Sequence, residues 1–222
     1  MNQQTKYPLR EKRKRRTRNA LINAAAALFY EQGYEETTLE EVAERAEVHV
    51  QTLYRHFPTK EALALAPDRK VFEDFCVVAL DPAREVDTLT MWRNWVDAQS
   101  QSVTSRFGKQ YLKRARSREL VPALAVASLR LWHEYEDVLT QAIASDMRVD
   151  PQKVRLPRIL ACTLWGAHQH AVRTWAQSKG SLDLAKETVA VVDEVKSLFG
   201  DYVARGTKPS SSRSRTKTRK KE

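Results

Sequence analysis

The chain has 222 residues, of which 42% are hydrophobic, enough for a sizeable core and too many for a wholly disordered protein. It has only 6 glycines and lacks runs of alternating β-branched residues, which argues against a β-sandwich or barrel and favours an all-α fold. The net charge of +10 lies mainly in two polar tails, residues 1–18 (net +7) and 207–222 (net +6), and basic tails of this kind typically bind polyanions.

The first part of the chain is predicted to be a flexible basic arm, residues 1–16, followed by a helical domain, residues 17–64. A helix is expected from near Arg16 to about Gln32, because apolar residues recur there at helical spacing. Gly33 then supplies the left-handed residue that ends it. Glycines are expected between helices elsewhere in the chain as well, including Gly108 and Gly200.

Two short helices follow the first one. Thr38 and Glu41 have the spacing of a capping box, which predicts a second helix to about Ala46. A third is expected from His49 to about His56, and after it a cap residue opens a fourth helix that Pro67 interrupts. This succession predicts a three-helix, helix-turn-helix domain.

Residues 65–206 are predicted to form a helical effector-binding and dimerisation domain, and 207–222 a basic disordered tail. Further helices are expected at residues 88–106, from Pro122, and at 153–178 and 182–204. The last of them carries a heptad-like seam, consisting of Leu184, Val191, Val195, Leu198 and Tyr202. We therefore expect a homodimer through residues 153–204.

In a helix-turn-helix domain the second short helix lies in the major groove of DNA, and polar groups around it hold the phosphates. The side chains predicted to face base edges are His49, Val50, Gln51, Thr52 and Arg55. Those predicted to contact phosphates are Thr38, Tyr54, His56 and Lys60. The expected partner is a double-stranded DNA operator.

The segment from residue 28 to 63 also carries motifs of a known family. They are LF at 28–29, GYE at 33–35, TT at 37–38, VA at 42–43 and TLYRHFPTKEAL at 52–63. This segment resembles the DNA-binding domain of the tetracycline-repressor (TetR) family. The resemblance implies a homodimeric repressor that releases DNA when a small ligand binds its second domain. In that family, positions matching Thr38, Tyr54, His56 and Lys60 commonly contact phosphates, and those matching Val50, Gln51 and Thr52 commonly reach bases.

Two positions depart from the family pattern. Glu47 stands where the turn usually has glycine, so it must adopt a left-handed conformation at roughly 1 kcal/mol or use another turn. His49 stands where the helix cap is usually serine, and it is a weaker cap by about 1 kcal/mol. Neither change removes a group that could contact DNA.

Residues 19–62 carry three basic and eight acidic residues, so the domain expected to contact DNA is itself acidic. We hypothesise that the basic arm supplies the missing phosphate contacts, along the backbone or in a neighbouring minor groove, with Arg15, Arg16 and Arg18 taking part. The alternative is that the glutamates face away from DNA as solvated helix surface.

The aromatic residues of the second domain suggest a pocket for an apolar or aromatic effector. Its candidate lining is Trp92, Trp95, Trp132, Trp165 and His168. The alternative is that these residues simply fill a helical core. A basic run, formed by Lys109, Lys113, Arg114, Arg116 and Arg118, is expected by default to be a solvated helix face; the alternatives are that it attracts an acidic effector or lies near DNA.

The remaining features bear on localisation and on rival functions. The basic N-terminus is not followed by the apolar segment of a signal peptide. The longest uncharged stretch, residues 159–172, is too short to span a bilayer. We therefore expect a cytoplasmic, nucleoid-associated protein without a membrane partner. Cys76 and Cys162 have no metal-site spacing, and no nucleophile–base pair or glycine-rich phosphate loop is visible, so we expect no metal, no cofactor and no enzymatic activity. Two alternatives stay open: a DNA-binding regulator whose second domain only dimerises, and an activator.

Overall fold

The computed structural model describes residues 8–207, except for the side chains at positions 106, 107, 119, 201, 202 and 204–207. This part of the chain contains helices and no β-strand, which confirms the predicted all-α class. The helices are α1 (Pro8–Glu31), α2 (Leu39–Arg45), α3 (Val50–His56), α4 (Lys60–Ala64), α5 (Ala66–Ala79), α6 (Thr88–Leu120), α7 (Pro122–Met147), α8 (Leu156–Gln177) and α9 (Leu184–Thr207). Within the described residues, none of these helices is both long and apolar enough to cross a membrane.

A small apolar core holds α1 to α4 together. Each helix contributes at least one almost fully buried side chain, namely Leu21 from α1, Val42 from α2, Leu53 from α3 and Leu63 from α4. Burying a side chain of this size contributes about 1.5–3 kcal/mol, which offsets the poor intrinsic stability of helices as short as α2 and α3. Their register is therefore fixed by packing.

The larger domain is a bundle in which α6 lies along α9 and α8 packs against both α7 and α9. Its core contains Phe75, Trp92, Leu139, Leu160 and Val192. Prolines open three of its helices, where the missing backbone N–H has no helical partner to lose: Pro67 in the first turn of α5, Pro122 in that of α7 and Pro157 in that of α8.

An interior ion pair ties the α5–α6 loop to the end of α7. Nη2 of Arg84 lies 2.7 Å from Oδ1 of Asp146, and the two side chains are 10% and 12% exposed. The other carboxylate oxygen of Asp146 accepts hydrogen bonds from the backbone N–H and the hydroxyl of Thr88, both at 2.6 Å. The carboxylate is thus fully engaged at the start of α6.

The expectation of a flexible arm over residues 1–16 is wrong for its described part, because α1 begins at Pro8 and is continuous to Glu31. Lysine and arginine are good helix formers, and extending an existing helix avoids the cost of nucleation. Proline suits the first helical position. Residues 1–7, and the tail at 208–222, lie outside the described residues.

The expectation that Gly108 and Gly200 separate helices is also wrong. Gly108 lies inside α6, which runs to Leu120 instead of ending near residue 106, and Gly200 lies inside α9. One glycine within a helix costs about 1 kcal/mol, which packing on both sides can outweigh. In α6, Trp92 before the glycine and Ala115 after it are both buried.

Among the described residues, α4 and α6 connect the two domains, and an ion pair within the larger domain joins α5 to α7. Helix α4 packs against α1 on one side and against α7 on the other. The Nζ of Lys113 in α6 donates to the backbone carbonyl of Tyr30 at the end of α1 and also lies 5.1 Å from the centre of its ring. Arg69 in the first half of α5 forms an ion pair with Glu134 of α7. A displacement of α5 or α6 would therefore also displace α1.

Candidate functional site

The turn between α2 and α3 determines where α3 begins. Thr38 and Glu41 form the expected capping box at the start of α2. Glu47 has φ 56°, so it adopts the left-handed conformation that the sequence left as one of two options. His49 is the N-cap of α3 but its side chain makes no capping hydrogen bond, as expected from its poor capping ability.

Helix α3 turns one face into the core and the other toward solvent. Leu53 is completely buried, whereas Gln51, Tyr54 and Arg55 are exposed. Val50 is only partly exposed, because it packs against the N-terminal core. Of the predicted base-facing residues, His49, Gln51 and Arg55 are thus exposed, while Val50 and Thr52 lie at the edge of the solvent face.

The predicted phosphate ligands surround this helix, and Thr38, Tyr54 and Lys60 have hydrogen-bond partners in the free protein. The backbone N–H and the hydroxyl of Thr38 both donate to the Glu41 carboxylate, at 2.8 and 3.0 Å. The Nζ of Lys60 donates to the carbonyl of Glu35 at 3.1 Å and lies 4.4 Å from the centre of the Tyr34 ring. A phosphate would therefore replace existing partners at these positions.

Tyr54 and His56 complete this group. The Tyr54 hydroxyl reaches Glu40 of α2 at 3.5 Å, the long end of a hydrogen bond. Burial lowers the pKa of His56, and the nearby cations Arg18, Arg55 and Lys14 lower it further. His56 is consequently a neutral donor or acceptor at neutral pH.

The basic extension of α1 lies beside α3. Arg15 and Arg16 are exposed, and the guanidinium of Arg18 lies 4.4 Å from the centre of the Phe57 ring, immediately after α3. Because residues 8–16 are helical, they cannot enter a minor groove as an extended strand. A rigid row of positive charge next to α3 takes the place of the expected flexible arm.

Some acidic side chains of this domain form ion pairs or hydrogen bonds within the domain. Glu31 forms an ion pair with Arg45, with N–O distances of 2.5 and 2.8 Å. The Tyr34 hydroxyl donates to Glu61 at 2.7 Å. These two carboxylates hold α1, α2 and α4 together, a role that the expectation of a solvated surface did not include.

The five residues proposed for an effector pocket line one cavity of about 100 Å³ in the larger domain. They are Trp92, Trp95, Trp132, Trp165 and His168. The rings of Tyr135 and Trp165 are stacked at 4.1 Å, and Trp92 packs edge-on against His168 at 5.5 Å. The cavity is therefore walled largely by aromatic faces and edges.

Several polar groups in this lining are not satisfied by the protein. His168 has a buried Nδ1 without a hydrogen-bond partner among the described residues, and so do the indole nitrogens of Trp92 and Trp165. Burial, together with the charge of Arg118, lowers the pKa of His168 to about 4. The imidazole is thus neutral, and it can donate or accept one hydrogen bond inside the cavity.

The lining of this cavity also has a charged part, which the sequence did not place beside the aromatic residues. Arg114 and Arg118 of the basic run lie 3.4 and 3.0 Å from the same oxygen of Asp68, so the expectation of a solvated face is wrong for them. One signal in the sequence could have indicated that Arg114 and Arg118 act together: they are four residues apart and so share a helix face, with Tyr111 one turn earlier. Nothing in the sequence pointed to Asp68, since it lies far away along the chain.

The predicted partner-helix seam on α9 is divided between two faces. Leu184 and Val195 are buried within the chain itself, whereas Leu198 is 69% exposed. Val191 is intermediate, and the Tyr202 side chain lies outside the described residues. The prediction of a continuous outer seam is therefore wrong, because Leu184 and Val195 pack into the interior of their own domain.

Comparison with known proteins bears on both sites. A family model described as "Bacterial regulatory proteins, tetR family" matches residues 21–66. The HTH-type transcriptional regulator TcmR of Streptomyces glaucescens is 32% identical over 209 residues, which cover 90% of this chain and 91% of that protein. The HTH-type transcriptional repressor KstR of Mycolicibacterium smegmatis is 42% identical over 64 residues, 29% of each chain.

Solved structures show the same fold. A complex of triclosan with SmeT, the repressor of the Stenotrophomonas maltophilia multidrug efflux pump SmeDEF, has a TM-score of 0.63 at 19% identity. The matched region covers 82% of this chain and 90% of that one. The similarity therefore extends across the smaller and the larger domain.

Proposed function

Since the chain belongs to the tetR family of bacterial regulatory proteins, which confirms the resemblance drawn from its sequence, we propose that it is a repressor that binds a near-palindromic operator as a homodimer and releases it when a small molecule enters the larger domain. The observation that carries the DNA-binding part is the exposed face of α3 beside a helical row of basic residues. On this proposal the protein acts on the chromosome in the cytoplasm, with residues 17–64 binding DNA and 65–206 binding the effector.

The roles at the DNA follow from side-chain chemistry. Gln51 can pair bidentately with adenine, and Arg55 with guanine, while the methyl groups of Val50 and Thr52 can contact a thymine methyl. Tyr54 hydrogen-bonds a phosphate and shields it from water. His49 reaches bases or backbone from the N-terminal end of α3.

Phosphate binding fixes the height of α3 in the groove. Thr38, His56 and Lys60 hold the backbone on the two sides of α3, and Thr38 and Lys60 exchange their present partners for phosphate oxygens. Arg15, Arg16 and Arg18 contact the neighbouring stretch of backbone from α1, which compensates for the acidity of the rest of the domain.

The effector part of the proposal is supported by the aromatic cavity and its unsatisfied polar groups. The similarity to TcmR covers nearly the whole chain, including this region. The fold itself is compatible with small-molecule binding, because SmeT, which shares it, forms a complex with triclosan. Such a ligand changes operator affinity only through its different affinity for the DNA-bound and the released conformation.

Dimerisation is proposed through the outer faces of α8 and α9. Leu198 of α9 and Ile159 of α8 are 69% and 52% exposed. Cys162 and Gly166 lie on the same exposed side of α8 as Ile159, where small side chains allow another helix to approach closely. A two-fold axis there would present two copies of α3 to successive turns of DNA, about 34 Å apart.

The test is selection of bound fragments from genomic DNA, followed by footprinting. The proposal predicts an inverted repeat whose half-sites are protected about one helical turn apart, with two chains per operator. A single unpaired half-site, or binding without sequence preference, would contradict it. Addition of aromatic compounds to the complex then tests whether the operator is released, which separates this function from a regulator that only dimerises.

A further inference from the structure

The charges that line the cavity do not balance. Two guanidinium groups, those of Arg114 and Arg118, approach one oxygen of Asp68. The other oxygen of Asp68 and the Nε of Arg114 are buried without a hydrogen-bond partner among the described residues. His168 contributes no charge near neutral pH, because burial and the charge of Arg118 hold its pKa at about 4.

No other ionised group of the described lining compensates for the excess. The remaining titratable side chains there are Tyr111 and Tyr135. Burial raises the pKa of Tyr135, and Asp68 raises it further, so its hydroxyl is neutral. Burial alone would lower the pKa of Arg118, but Asp68, Tyr111 and Tyr135 together raise that pKa by more, so Arg118 is cationic. The described lining thus carries one positive charge without a counterion.

We propose that the effector is a planar aromatic compound with an acidic group, whose rings stack among the tryptophans and whose anion binds Arg118 and Arg114 in competition with Asp68. This inference rests on the proposed function, because it assigns the chemical class of that effector. Guanidinium groups bind carboxylates with paired hydrogen bonds, and such charge-assisted bonds are strong where water is excluded. The neutral imidazole of His168 supplies a further hydrogen bond.

The size of the cavity indicates that binding moves its walls. An engineered apolar cavity of about 150 Å³ accommodates benzene, so the present cavity of about 100 Å³ has room for one ring at most. A larger ligand must displace part of the lining. Asp68 is the lining residue expected to move, because the incoming anion replaces it as the partner of Arg114 and Arg118.

Displacement of Asp68 would be transmitted to the DNA-binding domain. Asp68 lies in the first turn of α5, which follows α4 almost directly. Helix α4 packs against α1, and its Leu63 is buried in the core that holds α3 in place. The pair of arginines therefore joins the ligand to the segment that positions α3.

The experiment compares 2-naphthoate with its neutral isostere 2-naphthamide on the intact protein. Binding is measured by quenching of tryptophan fluorescence, and operator release by fluorescence anisotropy of a labelled operator. We expect the acid to bind about tenfold or more tightly than the amide, the effect of one charge-assisted hydrogen bond. Equal affinities for the two compounds would overturn the inference.

Two substitutions should act in opposite directions on the acid. Arg118→Gln weakens naphthoate binding about tenfold, because the anion loses its partner. Asp68→Asn strengthens it, because the competing carboxylate is gone. Both substitutions should change the affinity for the amide less than the affinity for the acid, and the exposed Arg116→Gln on the same helix leaves both affinities unchanged. A loss of naphthoate affinity in both variants would indicate a purely structural pair and contradict the proposal.

The double variant Asp68→Asn and Arg118→Gln covers the case in which Arg118→Gln alone does not fold, because it removes both charges and nearly preserves shape. It should prefer the acid to the amide less strongly than Asp68→Asn does, because Arg114 is then the cation that remains in the described lining, and a preference equal to that of Asp68→Asn would refute the role of Arg118. If the amide releases the operator as well as the acid does, only the ligand class is wrong. If no aromatic compound of either charge binds or releases the operator, the effector function fails as well.

Discussion

Replacing Glu47 by glycine should stabilise the protein. Glu47 has φ 56°, a left-handed conformation that costs a residue with a Cβ roughly 1–2 kcal/mol. Glycine adopts it freely, but its greater freedom in the unfolded chain removes about 0.4–1 kcal/mol of this gain. We therefore expect Glu47→Gly to raise the free energy of unfolding by about 1 kcal/mol.

The matched control is Glu44→Gly, three residues earlier. Glu44 is also an exposed glutamate, but it lies inside α2 with helical backbone, where glycine costs about 1 kcal/mol. Both variants lose the same charge, so the difference between them isolates backbone conformation. Urea denaturation followed by circular dichroism should show opposite shifts of the midpoint. Equal destabilisation by both variants would refute the left-handed turn at Glu47.

Three further predictions concern the basic helix, the interior ion pair and the cavity. The double variant Arg15→Gln and Arg16→Gln should make the plot of log affinity against log salt less steep, by about 0.9 for each phosphate that the variant no longer neutralises. Operator titrations at several salt concentrations measure this slope. Asp146→Ala should lower the free energy of unfolding by about 3–5 kcal/mol, because it leaves the cation of Arg84 buried without its carboxylate. The pKa of His168 is lowered from 6.5 to about 4 in the folded chain, so its contribution to stability is complete above pH 6.5 and declines as the pH falls toward 4. His168→Gln should therefore show a smaller loss of unfolding free energy between pH 7 and pH 5 than the wild type.

Each of these predictions has a control. Lys153→Gln removes a charge from an exposed loop remote in sequence from α1 and should leave the salt slope unchanged. Asp150→Ala removes a far more exposed carboxylate than Asp146 and should change stability by less than about 1 kcal/mol. His170→Gln removes an exposed imidazole from the same helix and controls for the substitution itself. The first prediction is contradicted if the salt slope of the arginine variant is unaltered, and the second if Asp146→Ala lowers the free energy of unfolding no more than Asp150→Ala does. The third is contradicted if the stability of His168→Gln and that of the wild type depend on pH in the same way.

Local chemistry explains what could be predicted from the sequence. The capping box at Thr38, the stop at Gly33 and the restrictions around Pro67 depend on neighbours within a few residues, and these features lie where the pattern placed them. The resemblance in residues 28–63 extended this local pattern to a family. The aromatic residues around the cavity were recognised by composition, since large rings in the larger domain need a common interior.

Features that depend on distant partners could not be predicted in the same way. The ion pair between Asp68 and Arg118 joins two helices whose relative position no local pattern encodes. The helical extension from Pro8 was missed because charge was taken as a sign of disorder, although lysine and arginine favour helix. Leu184 and Val195 were assigned to a partner because a heptad pattern does not say whether the neighbouring helix belongs to the same chain.

The central claim is that α3 reads base pairs in the major groove of each half-site. The most direct measurement is a fluorescence-anisotropy titration of the selected operator and of unrelated DNA with wild type, Gln51→Ala and the exposed control Gln101→Ala. Removing a bidentate hydrogen-bonded pair with adenine should cost about 1–3 kcal/mol per half-site on the operator and leave binding to unrelated DNA almost unchanged. If Gln51→Ala binds the operator as tightly as Gln101→Ala and the wild type do, α3 does not read the sequence through Gln51, and the central claim is contradicted.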